Sequence, residues 1–80
     1  MTPGQIQEML EANLPDCKAT VLSDDNTHFE AIVICDGFAG KRSLQRHQMV
    51  YAALGDKIGG EIHALSIQAL TPEESTDAES

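Results

Sequence analysis

Long hydrophobic runs are missing from this chain. No stretch approaches the ~18 consecutive apolar residues that a membrane-spanning helix needs. Nor does a basic segment followed by an apolar one stand at the start, so no secretory signal pattern is present and the chain reads as cytoplasmic. Basic residues are scarce, 5 Lys and Arg against 13 Asp and Glu, for a formal net charge of −8. An acidic chain of this kind is a poor candidate for tight binding driven by nucleic-acid phosphates. Cysteine is nearly absent as well. Cys17 and Cys35 are too few for a disulfide framework and read as reduced cytosolic thiols. Tryptophan is absent and aromatics make up 4% of the chain. Catalytic signatures are missing too: there is no G-x-S-x-G, no C-x-x-C, no H-E-x-x-H and no phosphate loop.

What is present fits one small domain. A chain of 80 residues buries roughly 60 per cent of its unfolded surface, so the core is small. The charge is unevenly spread. Residues 73–80 carry four of the acids and no base. Lacking strong apolar side chains, they are expected to form a disordered tail, leaving residues 1–72 as the folded domain. Lys41, Arg42 and Arg46 form one basic patch, with His47 beside it.

Thr2-Pro3-Gly4-Gln5 opens a helix with a capping-box pattern and proline at the first helical position. Ile6, Met9 and Leu10 follow at helical spacing, and Leu14-Pro15 ends it. Residues 18–23 and 28–35 read as two strands of an antiparallel hairpin around Asp24-Asp25-Asn26. In the second strand Phe29, Ala31, Val33 and Cys35 share one face. A longer helix is expected over residues 44–58, capped by Ser43 and stopped by Gly59-Gly60. Its apolar stripe reads as Leu44, His47, Val50, Tyr51, Leu54 and Ile58. A third strand, residues 62–70, follows. The order is α-β-β-α-β, and the helix between the second and third strands implies a parallel crossover. The fold class is therefore α+β, with a three-stranded mixed sheet and helices on one face.

Candidate chemistry is limited to soft ligands. Imidazole and thiolate suit iron, zinc and copper. His28 stands where the hairpin turn meets the second strand, and His63 where the third strand begins. His47 falls on the apolar stripe and reads as structural. Cys35 reads as a small buried hydrophobe, while Cys17, after a proline, could be exposed. No four ligands converge in this one chain, so a self-contained metal site is not expected. The carboxylate pairs Asp24-Asp25 and Glu73-Glu74 have no apolar surroundings to suit acid–base work. Gly37-Phe38-Ala39-Gly40 has the spacing with which KH domains clamp nucleic-acid backbone, but it reads first as a chain reversal.

Four ordered blocks resemble the BolA family: Phe38-Ala39-Gly40, Ser43 to Tyr51 with its leucine-x-arginine-histidine pattern, Ile62-His63-Ala64-Leu65-Ser66, and Thr71-Pro72-Glu73-Glu74. Thr27-His28-Phe29 is also similar to the family's approach to its second strand. The short hairpin turn is most similar to the small bacterial IbaG-type members. The resemblance implies a fold like that of a class II KH domain. It also implies an adaptor in iron–sulfur trafficking that pairs with a monothiol glutaredoxin and shares a [2Fe–2S] cluster. In such a pair the glutaredoxin cysteine and glutathione supply thiolates, and this chain would supply His63. The family's second ligand, a cysteine or histidine in the hairpin loop, has no counterpart before His28, so either His28 substitutes, or an aspartate does, or the site is incomplete and the glutaredoxin is bound without a full ligand set. On this basis the chain is not an enzyme, and alone it is expected to be a monomer or weak dimer. The alternative is a KH-like transcriptional regulator that binds DNA through Lys41, Arg42 and Arg46.

Overall fold

The computed structural model of the protein describes residues 1–60, 62 and 64–79. Helix α1 (Pro3–Asn13) starts as its sequence dictates. The Thr2 hydroxyl accepts from the Gln5 N–H, and the Gln5 side chain accepts from the Thr2 N–H at 2.8 Å. These bonds meet N–H groups that the first turn leaves without helical partners. Strands β1 (Cys17–Leu22) and β2 (His28–Cys35) form the hairpin, and β2 pairs in parallel with β3 (Ala64–Leu70). The sheet order is β1-β2-β3, which makes it a three-stranded mixed sheet in an α+β fold.

One face of the sheet is buried and the other is not. Ala19 and Val21 of β1, with Phe29, Ala31, Val33 and Cys35 of β2, join Ile6 and Leu10 of α1 in the core. The opposite face carries Lys18, Thr20, His28 and Glu30, all exposed. This is the two-residue period of a half-buried strand. Side chains of α1 also meet the outer edge of β1. The Ala19 N–H donates to Glu11 Oε2 at 3.1 Å, and the Val21 N–H donates to Gln7 Oε1 at 3.4 Å.

Helix α2 (Ser43–Leu54) is shorter than expected and turned differently. Gly55, with φ of 59° and ψ of −130°, ends it four residues before Gly59. A positive φ is open to glycine at little steric cost, so the stop falls there. Its buried residues are Val50, Ala53 and Leu54. Leu44 is 70% exposed and Tyr51 43% exposed, so the expected stripe holds only in part, and His47 is half-buried rather than enclosed. The true buried face lies about one residue round the helix and draws Arg46 toward the sheet.

Where a disordered tail was expected, residues 72–79 form a helix, α3 (Pro72–Glu79). Composition pointed to disorder, but local chemistry starts a helix. Thr71 Oγ1 accepts from the Glu74 N–H at 3.1 Å, and Glu74 Oε1 accepts from the Thr71 N–H at 2.8 Å. Pro72 supplies the preset φ of a first helical position.

The two cysteines also depart from expectation. They are joined as a disulfide, not held as free thiols. The hairpin register sets Cys17 directly opposite Cys35, with Cα atoms 4.2 Å apart.

Candidate functional site

The two ends of the sheet are built from different chemistry. At the end of β2 that leads into a 3-10 turn (Asp36–Phe38), the fold is tied together. Phe38 is fully buried, and its backbone carbonyl accepts from the Lys41 N–H at 3.1 Å. The Gly37-Phe38-Ala39-Gly40 segment is thus a plugged turn. Gly40, with φ of 76°, takes the conformation that side-chain-bearing residues avoid.

Arg46 fastens this end. Its Nε donates to the Lys41 carbonyl at 3.0 Å, and its Nη1 donates to the Ala69 carbonyl at 3.0 Å. Nη1 and Nη2 then donate to the two carboxylate oxygens of Glu74, at 2.6 and 3.3 Å. The guanidinium carbon lies 5.8 Å from the centre of the Phe38 ring, within the range of a cation–π contact. The Arg46 bond, followed by the Thr71 N–H, lowers the Glu74 carboxyl to a pKa of about 2. Of the three basic residues in the patch, Arg46 is therefore engaged inside the fold, while Lys41 and Arg42 are exposed.

At the opposite end, the hairpin turn organises His28. Ser23 Oγ donates to the His28 carbonyl at 2.6 Å and accepts from the Asn26 N–H at 2.9 Å. Asp25 Oδ1 accepts from the N–H groups of Thr27 and His28, both at 2.9 Å. Its Oδ2 lies 2.9 Å from Nδ1 of the His28 ring. The His28 N–H, then the His28 ring, then the Thr27 N–H hold the Asp25 carboxyl well below the usual carboxylate range. When Nδ1 carries the ring proton it donates a hydrogen bond to the Asp25 carboxylate, and Nε2 is then the ring nitrogen with the free lone pair. This is the tautomer that a carboxylate fixes in metal-ligating histidines.

The His28 side chain is 73% exposed. It borders an open groove of ≈ 530 Å³, lined in part by Leu22, Glu30, Ala64 and Ser66. Ala64 is the direct partner of His28 in the parallel ladder. His63, the other sequence-derived ligand candidate, lies outside the described residues. Among the described residues no three His, Cys, Asp or Glu side chains gather as a metal site. No helix among them is long and apolar enough to cross a membrane.

The sequence singles out His28 as a ligand type but not Asp25, the residue that holds its ring. The signal was available: an aspartate two and three residues before the N–H groups it caps is an Asx-turn pattern. Nor does the sequence single out the cysteine pairing, which depends on the hairpin register.

The comparisons with known proteins agree with this architecture. The BolA family model, described as BolA-like protein, matches residues 9–74. BolA-like protein 1 of Homo sapiens is 43% identical over 65 residues, covering 81% of this chain and 47% of that protein. The DNA-binding transcriptional regulator BolA of Escherichia coli (strain K12) is 33% identical over 54 residues, covering 68% of this chain and 51% of the regulator. The chain spans about half the length of these curated relatives. The structure of a bolA protein homologue from Coxiella burnetii superposes with a TM-score of 0.86 at 38% identity. That match covers 95% of this chain and 97% of the homologue. Likeness in sequence and likeness in fold thus run along the same stretch, and the chain belongs to the BolA family.

Proposed function

We propose that this protein is a non-enzymatic adaptor in iron–sulfur cluster trafficking. It acts in the cytoplasm by pairing with a monothiol glutaredoxin around a shared [2Fe–2S] cargo. The glutaredoxin cysteine and glutathione bring the thiolates, and this chain brings imidazole. The observation that carries the reading is the Asp25-held His28 ring on the open groove, with Ala64 as its ladder partner. His63, the residue before Ala64 in the chain, is the second imidazole in this proposal. A donor set of one or two histidines fits a shared site and not a self-contained one. Imidazole in place of thiolate raises a cluster's potential, as in Rieske centres. That suits cargo which must be passed on.

The test is anaerobic reconstitution of the full chain with a monothiol glutaredoxin, glutathione, iron and sulfide. A brown heterodimer with charge-transfer absorption is expected. His63→Ala and His28→Ala should each change that spectrum. A mixture that stays colourless, or a spectrum identical in both variants and the parent, overturns the proposal.

One observation favours a second reading: the Escherichia coli relative is named as a DNA-binding transcriptional regulator. Lys41 and Arg42 are the exposed cations that would serve it. Duplex affinity that falls steeply with salt, and is lost when both are reversed to glutamate, would support this reading. No binding at low salt removes it.

A further inference from the structure

Cys17 and Cys35 lie at the tied end of the sheet, remote from His28. Seven residue steps of β2 separate His28 from Cys35, about 23 Å of extended strand. The pair is therefore no part of the proposed cargo site.

The ladder geometry explains why these two thiols meet. The Ala19 and Val21 N–H groups point outward, to Glu11 and Gln7. Odd-numbered β1 residues therefore turn their backbone groups away from β2. Cys17 opposite Cys35, Ala19 opposite Val33 and Val21 opposite Ala31 are thus non-hydrogen-bonded pairs. In such pairs the strands approach most closely, at Cα separations of about 4.5 Å, and side chains are nearest. Any fold with this register holds the two sulfurs together, whether or not they are bonded.

The two sulfurs differ in access. Cys35 is 1% exposed, in the core. Cys17 is half-buried and opens its strand, one residue after Asp16, which has a φ of 56°. Opening the bond would leave both states intact. A reduced Cys35 is a small apolar group in an apolar site. The strand would still be held by its ladder and by Glu11 and Gln7. The same end is fastened separately by Phe38, Arg46 and Glu74.

We propose that Cys17 and Cys35 are a reversible dithiol–disulfide couple that exchanges with low-molecular-weight thiols such as glutathione, with Cys17 as the sulfur that reacts first. In the closing direction the Cys17 thiolate attacks a sulfur of glutathione disulfide and releases one glutathione thiolate. The mixed disulfide on Cys17 is then attacked by Cys35, which gives up its proton as the second glutathione leaves. One protein disulfide and two glutathione thiols form from two protein thiols and one glutathione disulfide, a two-electron exchange. The opening direction reverses each step. This inference does not rest on the cluster proposal.

The experiment equilibrates the full chain at graded ratios of reduced to oxidised glutathione, quenches with acid and counts thiols by alkylation and mass. A single transition between two free thiols and none is expected, within the chain. The closed form should melt higher by roughly 10–25 °C, as for a loop of this length. Cys35→Ser should accumulate one glutathione on Cys17. Cys17→Ser should take up none on Cys35 while folded, and react once urea exposes it. Four outcomes would overturn the proposal: thiols that stay free at the most oxidising ratio, a bond that stays shut at the most reducing one, disulfides between chains in place of the internal bond, or equal adduct formation in the two serine variants.

Discussion

The two ends of the sheet have opposite characters. At one end Cys17–Cys35, the Phe38 plug and the Arg46 fork join β1, β2, β3 and α3. At the other, one five-residue turn (23–27) holds a single imidazole in place with local bonds, and a groove lies open beside it. Long-range fasteners gather at the first end, where they join elements far apart in the chain. At the second end the chain uses short-range bonds that position His28 without covering it. This division, a rigid scaffold and a presented residue, is how loops carry function on folded domains.

Phe38→Ala should break the tied end most severely, since it empties a fully buried aromatic site. A loss of about 3–5 kcal/mol is expected, read as a fall in the urea midpoint at unchanged slope. A near-neutral result would mean that the plug does not hold the end. Arg46→Ala should rank next, at roughly 2 kcal/mol, because it strips two backbone carbonyls and a carboxylate of their donor. Arg46→Lys should recover only part of this, for an ammonium cannot span Lys41, Ala69 and Glu74 with a planar fork. Full rescue by lysine would show that charge alone matters there.

Acid provides a subtler probe of the same end. The Glu74 carboxyl is lowered from 4.5 to about 2. A group whose folded pKa is depressed contributes stability that is present above its unfolded value and is lost as pH falls through the folded one. The wild type should therefore weaken between about pH 4.5 and pH 2, and Glu74→Gln should lack that portion of the decline. Superimposable acid profiles would refute the pairing. The smallest effect on stability belongs to the open end. His28→Ala should change unfolding free energy by no more than about 0.5 kcal/mol, as exposed substitutions do, while altering the spectrum of the reconstituted heterodimer. A large loss of stability would place His28 in the scaffold and erase the contrast between the ends.

The sequence made some of this plain and concealed the rest for physical reasons. Helix α1 was legible because Thr2, Pro3 and Gln5 are a local signal, and β2 because its alternation is strict over eight residues. The phase of α2 was not. Leu44 and Tyr51 look like core positions by spacing, and only packing against the sheet shows that Val50, Ala53 and Leu54 face inward. The helix after Pro72 was hidden because composition outweighed a capping pattern that Arg46, 28 residues away, completes. The cysteine pairing was illegible because register is a property of two strands together. A slip of one residue would set Cys17 against Ile34 and turn one strand's side chains to the other face. At the candidate site His28 was visible as a ligand type, but the orientation of its ring depends on Asp25 in a turn whose bonds cannot be read from composition.

The bonds from Glu11 and Gln7 to the rim of β1 have one more effect. A bare outer strand is a template on which another molecule's strand can add, and proteins blunt such borders to stay unaggregated. Here two donors along that border are already occupied from within the same chain. The outer border of β1 is therefore a poorer template for strand addition than its length alone would make it.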